Sequence, residues 1–438
     1  MKPPSSMSDE GRNRRNRVLL PFYYRKETIM ILDVNFLMRV GAALLVAGLL
    51  SLLTTPLVKH LAMKVGAIDI PKDNRRMHTI PIPRMGGLAI FIGFLLSTLV
   101  FSRQIDQGLK SILLGAIIIV ILGVFDDKYT LPARLKLVIQ FVAAAIVVFY
   151  GELRIDRLTN PFGSSLYSYW DFGILAYPIT ILWIIAITNA VNFIDGLDGL
   201  ACGVSCISSV NLLVIALLVS DAEVSILMAA LTGACLGFVP YNFNPAKIFM
   251  GDTGSTFLGF MLATVSIQGL FKAYTAISFI VPFLLLGLPI FDICFAVIRR
   301  LATGHSPMEA DRGHFHHRLI DMGFSQKQSV AIAYVLAGIL GLAAVLLTVS
   351  GAMKALLLLG AFLVVGAIGM RIIMGATPRS NFWHHVKHGV PPVTSKPAPE
   401  QEPEAPVACP SDAPAQPTDD QSTQTVDTPS SEQEEFHE

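Results

Sequence analysis

Long apolar runs separated by short polar segments dominate this chain and limit what it can fold into. Because about 20 apolar residues in a helix span a lipid bilayer, each run is a candidate transmembrane helix. We therefore predict an all-α polytopic membrane protein, a bundle of about eleven transmembrane helices. The predicted helices cover residues 36–58, 86–101, 111–125, 135–150, 174–187, 200–220, 224–239, 256–270, 276–297, 330–350 and 355–373.

The overall composition agrees with a membrane protein and excludes one class of partner. Of all residues, 53% are hydrophobic and only 15% are charged, whereas a soluble domain is roughly one quarter charged. The formal net charge is +1, which gives no general attraction to nucleic acid. We expect the lipid bilayer, and no nucleic acid, as the surroundings of this chain.

Lysine and arginine are distributed unevenly between successive loops. The loops after the first, third, seventh and ninth predicted helices carry most of them, and the loops on the other side carry few. Because cytoplasmic loops are enriched in Lys and Arg, we place the first set of loops in the cytoplasm. The chain is then a multi-pass protein of the cell inner (plasma) membrane, with its N-terminus outside and its C-terminus inside.

Polar segments flank the predicted transmembrane domain, which covers residues 34–376. Residues 1–33 are basic and would lie outside in this topology, against the usual charge rule. Translation starting at Met30 would remove most of them, a hypothesis that N-terminal sequencing would contradict by finding Met1 or Lys2. Residues 377–438 are rich in Pro and Glu, so we predict a disordered cytoplasmic tail.

The densest polar stretch, residues 188–200, lies between two apolar runs. It contains Asn189 and Asn192, which share a helix face because they are three residues apart, and Asp195 and Asp198, each followed by glycine. Such a stretch also forms ordinary turns. A functional interpretation is favoured because three other polar clusters occur in loops predicted on the same side of the membrane.

These other clusters are weak signals individually. A pair of aspartates is often a solvated loop, and an aspartate at a helix start is an ordinary cap. A transporter would place ionisable residues near the bilayer midplane, where this chain has almost none apart from Asp292. The three clusters are Asp126 and Asp127 with Lys136; Asn242 and Asn244 followed by the segment G-D-T-G-S with Asp252; and Arg312, His314, His316, His317 and Arg318.

Taken together, the clusters indicate phosphoryl transfer at a membrane surface. Carboxylate and amide oxygens are ligands that suit Mg²⁺. Asp252 stands at a helix start between Gly251 and Gly254, where backbone N–H groups suit a phosphate, and the His/Arg loop suits a pyrophosphate. A metal, phosphate-binding groups and carboxylates form the usual set for phosphoryl transfer. The second substrate should be a lipid phosphate; Pro282 and Pro289 could open a groove for its chain, or could simply be tolerated in a membrane helix.

Five motifs resemble the polyprenyl-phosphate N-acetylhexosamine-1-phosphate transferases of glycosyltransferase family 4. The resemblance covers roughly residues 36–375 and implies a bundle of ten or eleven membrane helices with the active-site loops in the cytoplasm. Members of this family transfer a sugar 1-phosphate from a UDP-sugar to undecaprenyl phosphate, with Mg²⁺, and release UMP. The motifs are D-I-P-K-D-N-R-R-M-H with P-I-P-R-M-G-G, D-D-K, N-A-V-N-F-I-D-G-L-D-G-L, N-P-A-K-I-F-M-G-D-T-G-S and H-F-H-H-R.

The resemblance also implies roles for individual residues. Asn192 and Asp252 would hold Mg²⁺, for which Mn²⁺ could substitute. Asp126, with Asp127 beside it, would position the lipid phosphate as the catalytic pair. The substrate-binding residues would be Lys136, Asn189, Asp195, Asp198, Asn244, His314, His316, His317 and Arg318.

The histidine loop distinguishes two branches of the family. H-F-H-H-R is similar to the branch that uses UDP-GlcNAc for teichoic acid, O-antigen or enterobacterial-type polymers. The branch that uses UDP-MurNAc-pentapeptide for peptidoglycan has H-H-H followed by an aromatic residue and is kept as an alternative, as are a transporter of a phosphorylated solute and a membrane scaffold. The sequence leaves the downstream polymer open, and it leaves open whether the chain forms a homodimer.

Overall fold

The computed structural model describes residues 33–71, 80–159, 169–219, 221–271, 280–302 and 314–350, together with Gly360. Two short antiparallel strand pairs, β1 Ile68–Asp69 with β2 Ile82–Pro83 and β3 Arg157–Thr159 with β4 Tyr169–Asp171, join a mostly helical structure. The helices are α1 Val34–Val65, α2 Gly87–Phe101, α3 Gln107–Tyr129, α4 Ala133–Ala145, α5 Ala176–Phe193, α6 Leu200–Val219, α7 Ala222–Asn242, α8 Gly251–Ser266, α9 Ile280–Leu285, α10 Gly287–Ala302, α11 Phe315–Asp321 and α12 Gln326–Ser350.

Seven helical segments within the described ranges are long and apolar enough to cross a membrane. They confirm the prediction of an all-α polytopic membrane protein. A count of eleven stays a prediction, because the last predicted helix lies almost wholly outside the described residues. The basic N-terminal segment and the tail also lie almost wholly outside them. The seven segments are Val34–Val65, Gln107–Tyr129, Ala133–Tyr150, Gly173–Phe193, Leu200–Val219, Ala222–Asn242 and Gln326–Thr348.

Two predicted elements differ from the structure. The helix predicted at 276–297 is broken at Leu286 into α9 and α10, and α10 continues to Ala302. The N–H groups of Leu286 and Ile290 donate to the carbonyl oxygens four residues before them at 3.0 Å, whereas Pro289 has no N–H to donate to Leu285. The predicted histidine loop is also wrong in part, since His316, His317 and Arg318 lie in the short helix α11.

Helix α8 forms the centre of the bundle and is buried along its length from Thr253 to Ser266. It packs against α2, α3, α5 and α6. Two of these contacts are between backbones: a Cβ atom at Gly87 in α2 would overlap Gly254, and one at Gly123 in α3 would overlap Thr253. The beginning of α8, which carries the G-D-T-G-S motif, is therefore pressed directly against α2 and α3.

The loop before α2 fixes the start of α8 from a third direction. Gly86 N–H donates to the carbonyl oxygen of Phe249 at 2.9 Å, and Gly87 N–H donates to that of Met250 at 2.8 Å. The N–H of Phe249 in turn donates to the carbonyl oxygen of Pro83 at 2.8 Å. The segments P-R-M-G-G and F-M-G-D, distant in sequence, are thus joined by backbone hydrogen bonds.

Candidate active site

Apart from Arg312, which lies outside the described residues, the four polar clusters meet at one end of the helix bundle. This end contains the last turns of α3, α5 and α7, the first turns of α4 and α8, and the short helix α11. Contacts between side chains join these elements, as the following paragraphs describe. The sequence therefore predicted correctly that the clusters come together, while the role of each side chain stays a prediction.

Lys136 connects the two aspartates that the sequence assigned to lipid and metal. Its Nζ lies 2.8 Å from Oδ2 of Asp252 and also forms an ion pair with Oδ2 of Asp126. The other carboxylate oxygen of Asp126 accepts a hydrogen bond from Leu131 N–H at 2.7 Å. The arrangement places one positive charge between two carboxylates that come from different helices, α3 and α8.

Asp127 forms hydrogen bonds with the start of helix α8 and is not a solvated loop residue. Its Oδ1 accepts the N–H of Asp252 at 2.9 Å, and its Oδ2 accepts the N–H and the hydroxyl of Thr253 at 3.1 and 2.6 Å. Helix α8 has no side-chain cap of its own, so this carboxylate from α3 caps it. Gly251, at φ 71°, permits the approach, because a Cβ atom there would overlap Asp127.

Asn192 lies next to the same helix start. Its Nδ2 donates to Ser255 Oγ at 3.0 Å, and its side chain is within hydrogen-bonding reach of the Asp252 carboxylate. Within the described ranges, no group of three or more His, Cys, Asp or Glu side chains is arranged to hold a metal ion. Mg²⁺ commonly takes only one or two protein oxygens and completes its shell with water and phosphate. The oxygens of Asp252, Asn192 and Asp126 fit that requirement.

Asn189 is engaged by a residue that the sequence analysis missed. Its Nδ2 donates to Gln140 Oε1 at 2.7 Å and to the carbonyl oxygen of Ile185 at 2.8 Å, and Gln140 Nε2 donates back to Asn189 Oδ1 at 3.4 Å. Gln140 is buried and lies one helical turn after Lys136 in α4. A single amide in an apolar run, four residues after a lysine of the site, was the signal available in the sequence.

Asp198 and Asn244 bind each other and join three segments of the chain. Asn244 Nδ2 donates to Asp198 Oδ2 at 2.9 Å and to Gln326 Oε1 at 2.8 Å. Asp198 Oδ2 also accepts the N–H of Ala246 at 3.0 Å. These contacts hold the turn after α5, the segment between α7 and α8, and the start of α12 together beside the site.

The histidines pack against the end of α5. The ring of His314 stacks on Phe193, with centroids 6.0 Å apart, and on His316, also at 6.0 Å. His316 is 3% exposed, and its Nε2, which faces Gly196, has no hydrogen-bond partner. Burial and the neighbouring His317 lower the pKa of His316 to about 3. His316 is therefore neutral near pH 7, and its role in binding substrate stays a prediction.

Asp195 and Arg84 are two further ionisable residues whose pKa values depend on the aspartates of the site. Burial, followed by the charges of Asp252 and Asp127, raises the pKa of Asp195 to about 8. Burial alone would lower the pKa of Arg84, but nearby carboxylates, first that of Asp69 and then those of Asp127 and Asp252, raise it. Arg84 lies 3.0 Å from Asp69 across the β1–β2 pair. Arg84 belongs to the motif P-I-P-R-M-G-G, but the sequence analysis assigned it no role.

One family model and several proteins of known name are similar to this chain. The family model described as glycosyl transferase family 4 matches residues 109–270. A probable undecaprenyl-phosphate N-acetylglucosaminyl 1-phosphate transferase of Bacillus subtilis is 44% identical over 71% of this chain and 86% of that protein. A decaprenyl-phosphate N-acetylglucosaminephosphotransferase of Mycolicibacterium smegmatis is 33% identical over 68% of this chain and 80% of that protein. The undecaprenyl-phosphate alpha-N-acetylglucosaminyl 1-phosphate transferase of Escherichia coli K12 is 28% identical over 64% and 77%. With these relatives, and with the motifs gathered at one end of a membrane-helix bundle, the chain belongs to glycosyltransferase family 4.

Proposed function

We propose that this protein transfers GlcNAc-1-phosphate from UDP-GlcNAc to undecaprenyl phosphate, giving undecaprenyl-diphosphate-GlcNAc and UMP. The observation that carries the proposal is the meeting of Asp126, Lys136 and Asp252, because it unites a cation and oxygen ligands from three helices at one membrane face. Two of the three relatives are named as undecaprenyl-phosphate N-acetylglucosaminyl 1-phosphate transferases, and the third is named for decaprenyl phosphate. The product would be the first lipid-linked intermediate of a cell-envelope polymer.

The reaction requires positioning and charge balance more than a strong base. An oxygen of the lipid phosphate attacks the β-phosphorus of UDP-GlcNAc, and the bond from that phosphorus to the bridging oxygen breaks, so that UMP leaves with the negative charge. A phosphate monoester has a second pKa near 6, so the attacking oxygen is already ionised near pH 7. Catalysis of phosphoryl transfer rests largely on orientation and electrostatic stabilisation, which Lys136 can supply.

The protein residues divide this work. Asp126 holds Lys136 by their ion pair, and Lys136 faces the place where phosphate charge would gather. The oxygens of Asn192 and Asp252 would hold Mg²⁺, which when bound neutralises charge on the pyrophosphate. His314, His317 and Arg318 would bind donor phosphates, and Asp195 would border the nucleotide and sugar. Asp127, with both oxygens bound to α8, would keep Asp252 in place.

The orientation of the protein is part of the proposal. The basic loops of the sequence support a cytoplasmic active site in the plasma membrane, because Lys and Arg concentrate on the cytoplasmic side. Eleven helices would then place the N-terminus outside. A cytoplasmic site matches a water-soluble nucleotide donor, whereas the acceptor lipid would reach the site from the bilayer.

The test is transfer of label from radioactive UDP-GlcNAc into butanol-extractable lipid by the purified protein with Mg²⁺ and undecaprenyl phosphate. We expect labelled lipid and an equal amount of UMP, and neither product with UDP-MurNAc-pentapeptide as the donor. Transfer from the MurNAc donor alone would assign the protein to the other branch of the family. If no UDP-sugar yielded UMP, the proposal of a transferase would be wrong.

Replacing Arg84 with glutamine is expected to raise the KM for UDP-GlcNAc about tenfold, because the guanidinium would no longer bind a phosphate of the donor. A hydrogen bond to a charged group contributes about 1.5 kcal/mol, and about 1.4 kcal/mol corresponds to a factor of ten. The KM for undecaprenyl phosphate should change much less. Arg157→Gln is the matched control, since Arg157 is ion-paired with Asp171 at 3.4 Å in β3–β4, at the opposite end of the bundle. An unchanged donor KM in Arg84→Gln would show that Arg84 only pairs with Asp69.

A further inference from the structure

A buried carboxylate lies in helix α10, where the reaction described above does not use it. Asp292 is 6% exposed, although Phe291 and Phe295 in the same helix are exposed. A carboxylate buried away from water is costly unless it has partners. The partners of Asp292 therefore indicate what it does.

Both partners belong to the beginning of α11. Asp292 Oδ2 lies 2.9 Å from Nδ1 of His314, and Asp292 Oδ1 accepts the N–H of Phe315 at 2.6 Å. His314 is the residue that immediately precedes α11 and has no side-chain cap bond to the helix. One carboxylate thus fixes both the ring of His314 and the backbone next to it.

The hydrogen bond decides how His314 carries its protons. An ionised carboxylate only accepts hydrogen bonds, so Nδ1 of His314 must carry a hydrogen. The ring nitrogen left for a ligand is Nε2. The Asp292 carboxylate also holds the ring in one orientation, as carboxylates do for histidines in metal and catalytic sites.

Two other rings also lie against the ring of His314. Phe193, at the end of α5, stacks on it with an angle of 26° between the planes, and His316 lies nearly parallel at 6°. Phe193 is adjacent to Asn192, a proposed metal ligand. His314 is therefore fixed beside the place where the donor pyrophosphate would bind.

We propose that Asp292 is a positioning residue that orients His314, through Nδ1, so that Nε2 meets the pyrophosphate of the sugar nucleotide. The inference rests on the proposed function. Asp292 itself touches no substrate and acts through His314. The attachment of α11 to α10 does not depend on Asp292 alone, because the guanidinium of Arg318 lies 4.3 Å from the ring centroid of Phe295.

A double-mutant cycle on the purified full-length protein tests this role. It compares Asp292→Asn, His314→Ala and the double variant, with Asp321→Asn as the matched control, because Asp321 is an exposed carboxylate on the same short helix. We expect Asp292→Asn to lower kcat/KM for UDP-GlcNAc about tenfold or more, with the KM for undecaprenyl phosphate unchanged. The double variant should lose no more than His314→Ala alone, since residues acting as one unit are not additive. Asp321→Asn should retain full activity.

The outcomes separate this inference from the proposed function. Additive losses in the double variant, or full activity in either single variant, would overturn the role of Asp292 while transfer by the unaltered protein still stands. No transfer by the unaltered protein would instead contradict the function. Should Asp292→Asn fail to accumulate as folded protein, Asp292→Glu runs the same cycle: it keeps the charge but displaces His314, so its loss should disappear in the His314→Ala background.

Discussion

Replacing Asp252 with asparagine is expected to lower transfer about a thousandfold, the loss seen when one key electrostatic group is removed from an active site. Asparagine keeps the shape of the side chain but removes the charge that faces Lys136 at 2.8 Å and that would hold Mg²⁺ with Asn192. The protein should remain folded, because the N–H of Asp252 that bonds to Asp127 belongs to the backbone. The measurement is the initial rate of lipid labelling over a range of Mg²⁺ concentrations.

A matched control is available at the other end of the bundle. Asp221 caps α7 by accepting the N–H of Val224 at 3.0 Å, and Asp221→Asn makes the same chemical change away from the site. Its transfer rate should equal that of the unaltered protein. If Asp252→Asn kept more than about a tenth of the activity, a loss far smaller than removal of a key group causes, Asp252 would not be a metal ligand.

Replacing Asp127 with alanine is expected to cost both stability and activity. Three hydrogen bonds to the start of α8 disappear, and we expect the free energy of unfolding to fall by about 3 kcal/mol, as for a lost helix cap with buried donors left unpaired. Because Asp252 is in that first helical turn, transfer should fall with stability. Thermal unfolding in detergent and the labelling assay measure the two effects.

Two further variants distinguish positioning from direct catalysis by Asp127. Asp127→Asn keeps one carbonyl oxygen for the cap, and Thr253→Val removes only the hydroxyl bond. If Asp127 positions α8, stability and activity should decline together, least in Thr253→Val and most in Asp127→Ala. If Asp127→Asn lost activity at unchanged thermal stability, Asp127 would take part in the reaction itself, as the sequence analysis predicted.

That the clusters come together could be predicted from the sequence, because successive loops of a polytopic protein lie on alternate sides of the membrane. Loops separated by two spanning helices return to the same side, so Asp126, Asn192 and Asp252 were expected on one face before any contact was known. Helix type followed from apolar length alone. Helix ends were less predictable, since α1 extends to Val65 and α3 to Tyr129, and polar residues that begin or end helices look like loop residues in a sequence.

The partner of each polar residue could not be predicted, because it depends on packing between segments far apart in the chain. The resemblance placed Asp127 beside Asp126 in the catalytic pair, and only the approach of α3 to α8 shows that it also caps α8. Gln140 lies in an apolar run of the sequence, and its role is visible only from its hydrogen bond with Asn189 of α5. In the sequence Asp292 is an isolated charge, and only its contact with His314 indicates a positioning role.

The glycine contacts around α8 have a mechanical consequence. At Gly87 and Gly123 no side chains lie between the backbones. Sliding α8 past α2 or α3 would therefore make backbone atoms overlap, because no side chain there can change rotamer to make room. We therefore expect α2, α3 and α8 to move together, with the Asp127 cap. Motion that admits a long-chain acceptor from the bilayer has to come from other helices, and the break at Leu286 between α9 and α10 offers a bend that disturbs none of these contacts.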